Sequence, residues 1–341
     1  MRRLLGVAVG VLVLVLVAGT VAALQVNRYL HTPVNVSADG ADFVIEPGSS
    51  FRKISDNLAG QGIITHPGIL RAYARYKGAA ASVQAGDYLI RPGTTPVKLL
   101  EQFISGDVKL YSFTIIEGWN HWELLQALQE HEHVEATLTD EDWPGLLEEL
   151  GAQAGHPEGL FLPETYRFPR NSTDREILAQ AYALMQEALA EEWQARAEDL
   201  PIETPYEALV LASIIEKETG RDDERHRISG VFTRRLQKRM RLQTDPTVIY
   251  GIGPSFNGNL TRKDLRTDTP YNTYRRGGLP PTPIAMPGRA AINAALHPAD
   301  GDELYFVATG LGDGSHAFSV THEEHEAAVA EYLRRLRQQR N

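Results

Sequence analysis

Residues 209–220, LVLASIIEKETG, run a nearly wholly apolar segment into two glutamates and a glycine. Thr204 is a good N-cap, Pro205 suits the first helical position, and Glu207 stands three residues after the cap, which together form a capping box with proline at N1. Gly220 reads as the residue just past the helix end. From Ala208 to Ile215 the helix has no polar face, so it is expected to be buried on all sides. Glu216 then falls in the last turn of a core helix, where burial and the negative end of the helix dipole both favour its protonated form. A carboxyl that holds its proton near neutral pH can give it to a leaving group as a general acid. Glu218, two residues on, points to a different face and need not share a site with Glu216. The bland alternative is that the helix surfaces after Ile215 and leaves Glu-Lys-Glu as a solvated end.

The 341 residues are enough for two domains beyond any anchor. The net charge of −10 argues against a general nucleic-acid binder, and the absence of cysteine excludes disulfides and thiolate metal sites. Arg2 and Arg3 precede an uncharged run from Leu4 to Leu24, which as a helix would span roughly 30 Å, about the hydrocarbon thickness of a bilayer. Positive residues at the front keep the N-terminus cytoplasmic and place the rest outside. A cleavable signal peptide, with Val21 and Ala23 before the cut, is the alternative; the length of the run favours a retained anchor.

Residues 25–40 read as a polar juxtamembrane linker. A strand, a Pro-Gly turn and a helix then recur: Phe43–Gly48 with a helix from Ser49 to Leu58, Tyr88–Gly93 with a helix from Pro96 to Ile104, and a weaker copy opened by Ile115–Gly118 and followed by His121–Leu128. The first unit, through IEPGSSFRKISDNL and the GII at 62–64, resembles a LysM-like module, a class that binds N-acetylglucosamine-containing glycans. A small packing or spacer domain is the alternative. EGLFLPETYRFP at 158–169 could line a sugar cleft with its aromatic faces or form ordinary core under a loop. Helices are expected from Thr173 to Leu200, and an amphipathic one from Ile228 to Arg239 after a charged connection at 221–227. Glu303–Ala308 and His316–Val320 read as a hairpin, and Thr321 with Glu324 as a capping box opening a last helix with Val329, Leu333 and Leu336 inward. The C-terminal part reads mostly as scaffold. His316, His322 and His325 lack zincin spacing and read as surface residues, so no metal site and no cofactor are expected.

RLQTDPTVIYG at 241–251, YNTY at 271–274 and GLPPTPIAMPG at 278–288 are loops richer in hydrogen-bonding side chains than mere connections need. A cleft recognising a hydroxyl- and amide-bearing polymer requires such groups. Together with ASIIEKET at 212–219 and LYFVATG at 304–310, in this order and spacing, they resemble the MltG/YceG-type endolytic murein transglycosylases over nearly the whole chain. TPIAMPG departs from the pattern, so Thr282 and Met286 are left out of the expected sugar contacts; LPETY at 162–166 is a conservative variant.

The resemblance implies an α+β protein. Residues 1–25 are a cytoplasmic stub and single transmembrane helix, 26–41 a linker, 42–106 the LysM-like module, and 107–341 a larger mixed α+β catalytic domain. It implies a bacterial inner-membrane lyase whose catalytic part lies outside the cytoplasm. The enzyme cleaves the MurNAc-β-1,4-GlcNAc bond of nascent peptidoglycan strands without water and leaves 1,6-anhydro ends, with peptidoglycan synthases as associated partners. Glycoside hydrolysis ordinarily uses two carboxylates, but here the substrate's own C6 hydroxyl is the nucleophile and one acid can serve twice. Glu216 is the expected acid/base; Gln243, Thr244, Asp245, Tyr271, Asn272 and Tyr274 are expected to bind substrate. Glu218 is a secondary candidate, or a partner for Arg234 or Arg241, and Asp245 could instead only cap the helix from Pro246 to Tyr250. The competing classes are a non-catalytic peptidoglycan-binding scaffold, a metal-dependent hydrolase and a true muramidase.

Overall fold

The computed structural model describes residues 2–339; the side chains of residues 2–6 and 8 lie outside the described residues, among them the Arg2–Arg3 pair used above to orient the anchor. Helix α1 (Arg2–His31) is unbroken, and every described side chain from Val7 to Arg28 is exposed. Val9–His31 contains an 18-residue window of mean hydropathy 2.5, long and apolar enough by length and composition to cross a membrane.

Two compact units follow from the chain's contacts: residues 1–111 with 167–170, and residues 112–166 with 171–341. The first holds α1, β1 (Ala41–Ile45), α2 (Phe51–Gly60), α3 (Pro67–Tyr76), β2 (Gly86–Ile90) and α4 (Pro96–Ser105). β1 and β2 pair antiparallel from Ala41 opposite Ile90 to Ile45 opposite Gly86, and the alternation that turns Phe43 and Ile45 inward is the period-two pattern of a half-buried strand. Their core includes Phe51, Ile54 and Leu58 of α2, Leu70 of α3, and Leu99 and Phe103 of α4. Ser50 and Thr95 cap α2 and α4 through their hydroxyls, while Gly106 ends α4 in the left-handed conformation that a residue with a Cβ rarely adopts. The strand-turn-helix units expected at 43 and 88 are present. Helix α3 was not foreseen, because a single Pro at N1 without a side-chain cap is its only start signal. The stretch read as a polar linker after residue 25 starts as helix: α1 continues to His31, Leu30 is buried, and Val34 and Val36 pack on the core.

The second unit contains β3 (Leu110–Thr114), α5 (His121–Gln129), β4 (Val134–Glu135), α6 (Trp143–Glu149), β5 (Thr165–Pro169), β6 (Ser172–Thr173), α7 (Asp174–Gln194), α8 (Pro205–Glu218), α9 (Asp222–Gln237), α10 (Asp245–Ile252), α11 (Arg262–Arg266), α12 (Arg289–Leu296), β7 (Tyr305–Ala308), β8 (His316–Ser319) and α13 (His322–Gln339); β3 and β5 each run into residues of the first. Ile115–Gly118, expected to open the third strand, is instead the turn after β3. Helix α8 is its axis. Eight consecutive side chains, Ala208–Ile215, are buried, and α7, α9, α10 and α12 pack around it. The one polar member, Ser213, is satisfied on both sides: its hydroxyl donates to Val210 O at 2.7 Å and accepts from Ile284 N at 2.9 Å.

Three local expectations change. The chain leaves α8 extended at Thr219 (φ −148°), so Gly220 is not a left-handed terminator; Thr219 Oγ1 accepts from Arg221 N at 3.0 Å. The charged stretch expected to connect α8 to the next helix is the first half of α9, whose Asp222, Asp223 and Glu224 suit the positive end of the dipole. In α13 the capping box forms, but Leu333 is exposed; the stripe that turns inward runs through His325, Val329, Tyr332 and Leu336 at the helical period. EGLFLPETYRFP is core: Leu160, Phe161, Tyr166 and Phe168 are buried.

Leu211 is fully buried at the centre of α8. Leu211→Ala is expected to lower unfolding free energy by about 2–5 kcal/mol, read from denaturant unfolding of the full chain in detergent followed by near-UV circular dichroism.

Candidate active site

The end of α8 meets the loop that opens α10 at Glu218. Thr244 Oγ1 donates to Glu218 Oε1, and Thr244 is held in turn: its amide donates to Thr273 Oγ1 at 3.1 Å, and Thr247 Oγ1 donates to Thr244 O at 2.8 Å. Gln243 before it takes a left-handed φ of 52°, which lets the chain turn into the helix while its amide donates to Thr273 O at 3.3 Å. This is local strain fixed by neighbouring hydrogen bonds, of the kind found where a loop must present particular side chains. Tyr274 Oη donates to Asp245 Oδ1 at 2.6 Å, so Asp245 faces the same place and is not the cap of α10; Thr244 is the residue at that position.

Glu218, Gln243, Thr244, Asp245 and Tyr274 line one cleft of about 520 Å³. Its other wall was read as scaffold in the sequence: Tyr305–Ala308 of β7, His316 of β8, and His322, His325 and Val329 of α13. Arg235 of α9 lies beneath. It is buried, donates to Leu304 O at 2.6 Å and Leu242 O at 2.8 Å, and sits 5.1 Å from the Tyr305 ring centre. His325 stacks on the Tyr305 ring, the centroids 5.2 Å apart. His316 Nδ1 lies 2.7 Å from Glu224 Oε2, and its amide donates to Glu224 Oε1. His322 is the surface residue expected, beside Glu326. The signal that could have found this wall is the alternation of β8, which puts His316 and Phe318 on one face. Among the described residues no group of three or more His, Cys, Asp or Glu is placed to hold a metal ion.

Burial is the main reason the Glu218 carboxyl is pushed above the usual carboxylate range; the Thr244 hydroxyl opposes this and the Asp245 charge adds to it. Tyr274 is raised as well, by burial and then by its bond to Asp245. Neither Arg234 nor Arg241 is the partner of Glu218: Arg234 pairs with Glu303 and Arg241 donates to Tyr274 O.

Glu216 is elsewhere. Its Oε2 accepts from Gly288 N at 2.9 Å, at the N-cap of α12, with the Glu117 side chain close to the same glycine. Burial raises its carboxyl too, opposed by the Gly288 amide and assisted by Glu117. It has the proton affinity expected of it, but it does not line the cleft that gathers the polar loop residues. Two positions apart on a helix are about 200° apart, so only one of these glutamates can face the Thr244 loop. Two further expectations change. Asn272 is fully buried: Nδ2 donates to Asp264 O, Leu265 O and Thr267 O, and Oδ1 accepts from Tyr274 N, so it shapes the loop and has no atom left for substrate. Tyr271 turns into a ring cluster with Tyr250 and Trp122, its hydroxyl 2.9 Å from Thr282 Oγ1. Sequence reasoning also missed Glu158, a buried carboxylate that accepts from His121 N at 3.2 Å and Tyr250 Oη at 2.9 Å.

Asn272→Ala should therefore act on stability: losing the bonds to three carbonyls is expected to cost at least about 1–3 kcal/mol. Thermal unfolding of the full chain checks it against Tyr274→Phe, which removes one exposed-side bond and should shift the midpoint less.

The YceG-like family model matches residues 43–331. An endolytic murein transglycosylase of Bacillus subtilis (strain 168) is 31% identical over 325 residues, covering 90% of this chain and 87% of that protein. One from Streptococcus pneumoniae (serotype 2, strain D39) is 28% identical over 322 residues, 85% of this chain but 58% of the longer relative. A crystal structure of a YceG-like protein from Listeria monocytogenes superposes with a TM-score of 0.51 at 28% identity, covering 85% of this chain and 99% of that one. The chain belongs to the YceG-like family.

Proposed function

We propose that this chain is an endolytic murein transglycosylase in which Glu218, and not Glu216, is the acid and then the base. The observation that carries the assignment is the bond from Thr244 to a half-buried Glu218 carboxyl inside the cleft that also collects Gln243, Asp245 and Tyr274. Protonated Glu218 gives its proton to the glycosidic oxygen as the bond from C1 of MurNAc to that oxygen breaks. The carboxylate left behind takes the proton of the C6 hydroxyl while O6 bonds to C1. The proton count returns to its start, no water enters, and the product is the 1,6-anhydro end. Asp245 supports the positive charge that develops on the ring, and Gln243 and Tyr274 hold the sugar. Glu216 and Asn272 belong to the frame, Glu216 by fixing the Gly288 amide at the start of α12.

The same reading makes α1 a single-pass anchor in the bacterial cytoplasmic membrane with the N-terminus inside, and residues 42–106 a LysM-like glycan-binding module. It gives nascent peptidoglycan strands as substrate and peptidoglycan synthases as neighbours. The exposed apolar surface of α1 and the polar character of the cleft support it.

Glu218→Gln keeps the shape and removes the proton. It is expected to lower release of anhydro-ended glycan from uncrosslinked strands by at least about 100-fold, measured by mass spectrometry, while Glu216→Gln stays within a few-fold of the parent. Full activity in Glu218→Gln would return the protein to the class of glycan-binding scaffolds or move the acid elsewhere; products heavier by one water would make it a muramidase.

The raised carboxyl also predicts pH behaviour. Because the folded state holds the proton more tightly than the unfolded chain, Glu218 opposes folding increasingly as pH rises above the ordinary carboxylate range. Glu218→Gln should therefore gain stability relative to the parent between acid and neutral pH, with the two equal at low pH, in denaturant titrations at each pH. Activity should fall as pH rises through the raised value. Asp245→Asn removes a charge that raises it, so the alkaline limb of the pH–rate profile should move to lower pH.

A further inference from the structure

The first unit carries an apolar groove that the reaction does not use. It has a volume of about 370 Å³ and is walled by Val26 and Leu30 from the last turns of α1 and by Ile69, Ala72, Tyr73 and Tyr76 from α3. Almost no polar surface lines it, and Tyr76 stands 83% exposed at its edge. The α1 end is not loosely attached there: Leu30 is 7% exposed and the Tyr29 ring meets His66 edge-on at 5.2 Å. A water-facing groove of this character, with a ring left in the open, is unusual on a soluble surface.

Its height along α1 says what covers it. If the uncharged run from Leu4 to Leu24 fills the hydrocarbon, Val26 and Leu30 lie about 3 Å and 9 Å beyond its edge at ~1.5 Å per residue. The headgroup layer occupies about 5–7 Å on each side of a ~30 Å hydrocarbon core. The groove therefore begins inside that layer, where tyrosine rings concentrate because one end is apolar and the other wet. The end of α3 carries cations. Arg75 is exposed and takes no ion pair among the described residues. Lys77 is exposed too, its Nζ 5.9 Å from the centre of the Tyr73 ring.

We propose that this groove is a lipid site for an anionic phospholipid: the glycerol-proximal part of an acyl chain lies along Ala72, Tyr73 and Val26, and Arg75 and Lys77 at the end of α3 meet the headgroup phosphate. The site rests on the reading of α1 as a membrane anchor. Its effect is to hold α3, and with it the strands and helices of the first unit, against the bilayer surface instead of leaving them on a free tether.

The chain contains no cysteine, so single-cysteine variants carry an environment-sensitive fluorophore at one place only. In full-length protein reconstituted into phosphatidylcholine–phosphatidylglycerol vesicles, the label goes at Ala72→Cys, at Leu16→Cys as the anchor control, and at Glu323→Cys as the aqueous control. Lipids brominated near the glycerol or near the chain end, and aqueous iodide, are the quenchers. The expected result is deep-lipid quenching at residue 16, iodide quenching at 323, and shallow-lipid quenching at 72 several-fold stronger than at 323. It should be stronger for brominated phosphatidylglycerol than for brominated phosphatidylcholine. Each of Arg75→Gln and Lys77→Gln should weaken that preference by up to about fivefold. Iodide quenching at 72 with residue 16 still deep overturns the lipid site and leaves the anchor standing. Protection of 72 from lipid and iodide alike overturns it in favour of a protein occupant. Loss of deep quenching at 16 overturns the anchor reading and this site with it.

Discussion

The donation from Thr244 to the Glu218 carboxyl joins two parts of the chain that have little else in common. One is a helix apolar on every face, the other a loop of polar side chains. Helix α8 is placed by burial alone, since Ala208–Ile215 have no exposed face. That burial costs nothing in unsatisfied polar groups until the helix ends, and the end is where the two glutamates stand. Whatever the last turn presents is thus held by the core behind it. The Thr244 loop supplies the complementary half, and it is held by its own polar frame: Thr273, Thr247 and the buried Asn272. A carboxyl positioned in this way needs no rearrangement to meet its partner, which is what preorganisation of a site requires.

The two glutamates separate proton affinity from position. Both are raised by burial, so a perturbed carboxyl alone would nominate either. Their partners differ. Glu216 accepts from a backbone amide at the start of a helix, an arrangement that favours its ionised form and gives it a structural task. Glu218 accepts from a hydroxyl, a weaker stabiliser of charge, and faces the negative Asp245. A group asked to release and recover a proton is better served by the second environment, where neither form is locked in place.

Much of this was legible in the residues. The buried helix, its Thr204 cap, the strand-turn-helix units at 43 and 88 and the C-terminal hairpin follow from period and turn chemistry, which are local. The loops at 241–251, 271–274 and 278–288 stand out because their composition exceeds what a connection needs, and residues of the first two line the cleft. What was not legible was assignment across distance. Choosing between Glu216 and Glu218 depends on the direction from which residue 244 approaches the end of α8, and no local pattern encodes that. Asn272 looks like a ligand group in sequence; only the three carbonyls around it make it a frame residue. His316 and His325 were read as surface because their role in the cleft wall comes from β8 and α13 folding back about a hundred residues after α8.

That late return of the chain has a chemical consequence. With Glu218 half-buried on one side and β7, β8 and α13 on the other, the far wall of the cleft carries aromatic rings and histidines, with Arg235 beside them. Arg235 lines the same cleft, and its bonds to Leu242 O, Leu304 O and Arg241 O fix the guanidinium there. Asp245 lines the same cleft and its charge acts on Glu218, while the hydrogen bond from Tyr274 holds it in place. In the proposed mechanism the nucleophile is the substrate's own hydroxyl, so Asp245 is asked only to support positive charge on the sugar ring. Its hydrogen bond from Tyr274 on Oδ1 leaves the second carboxylate oxygen free for that task.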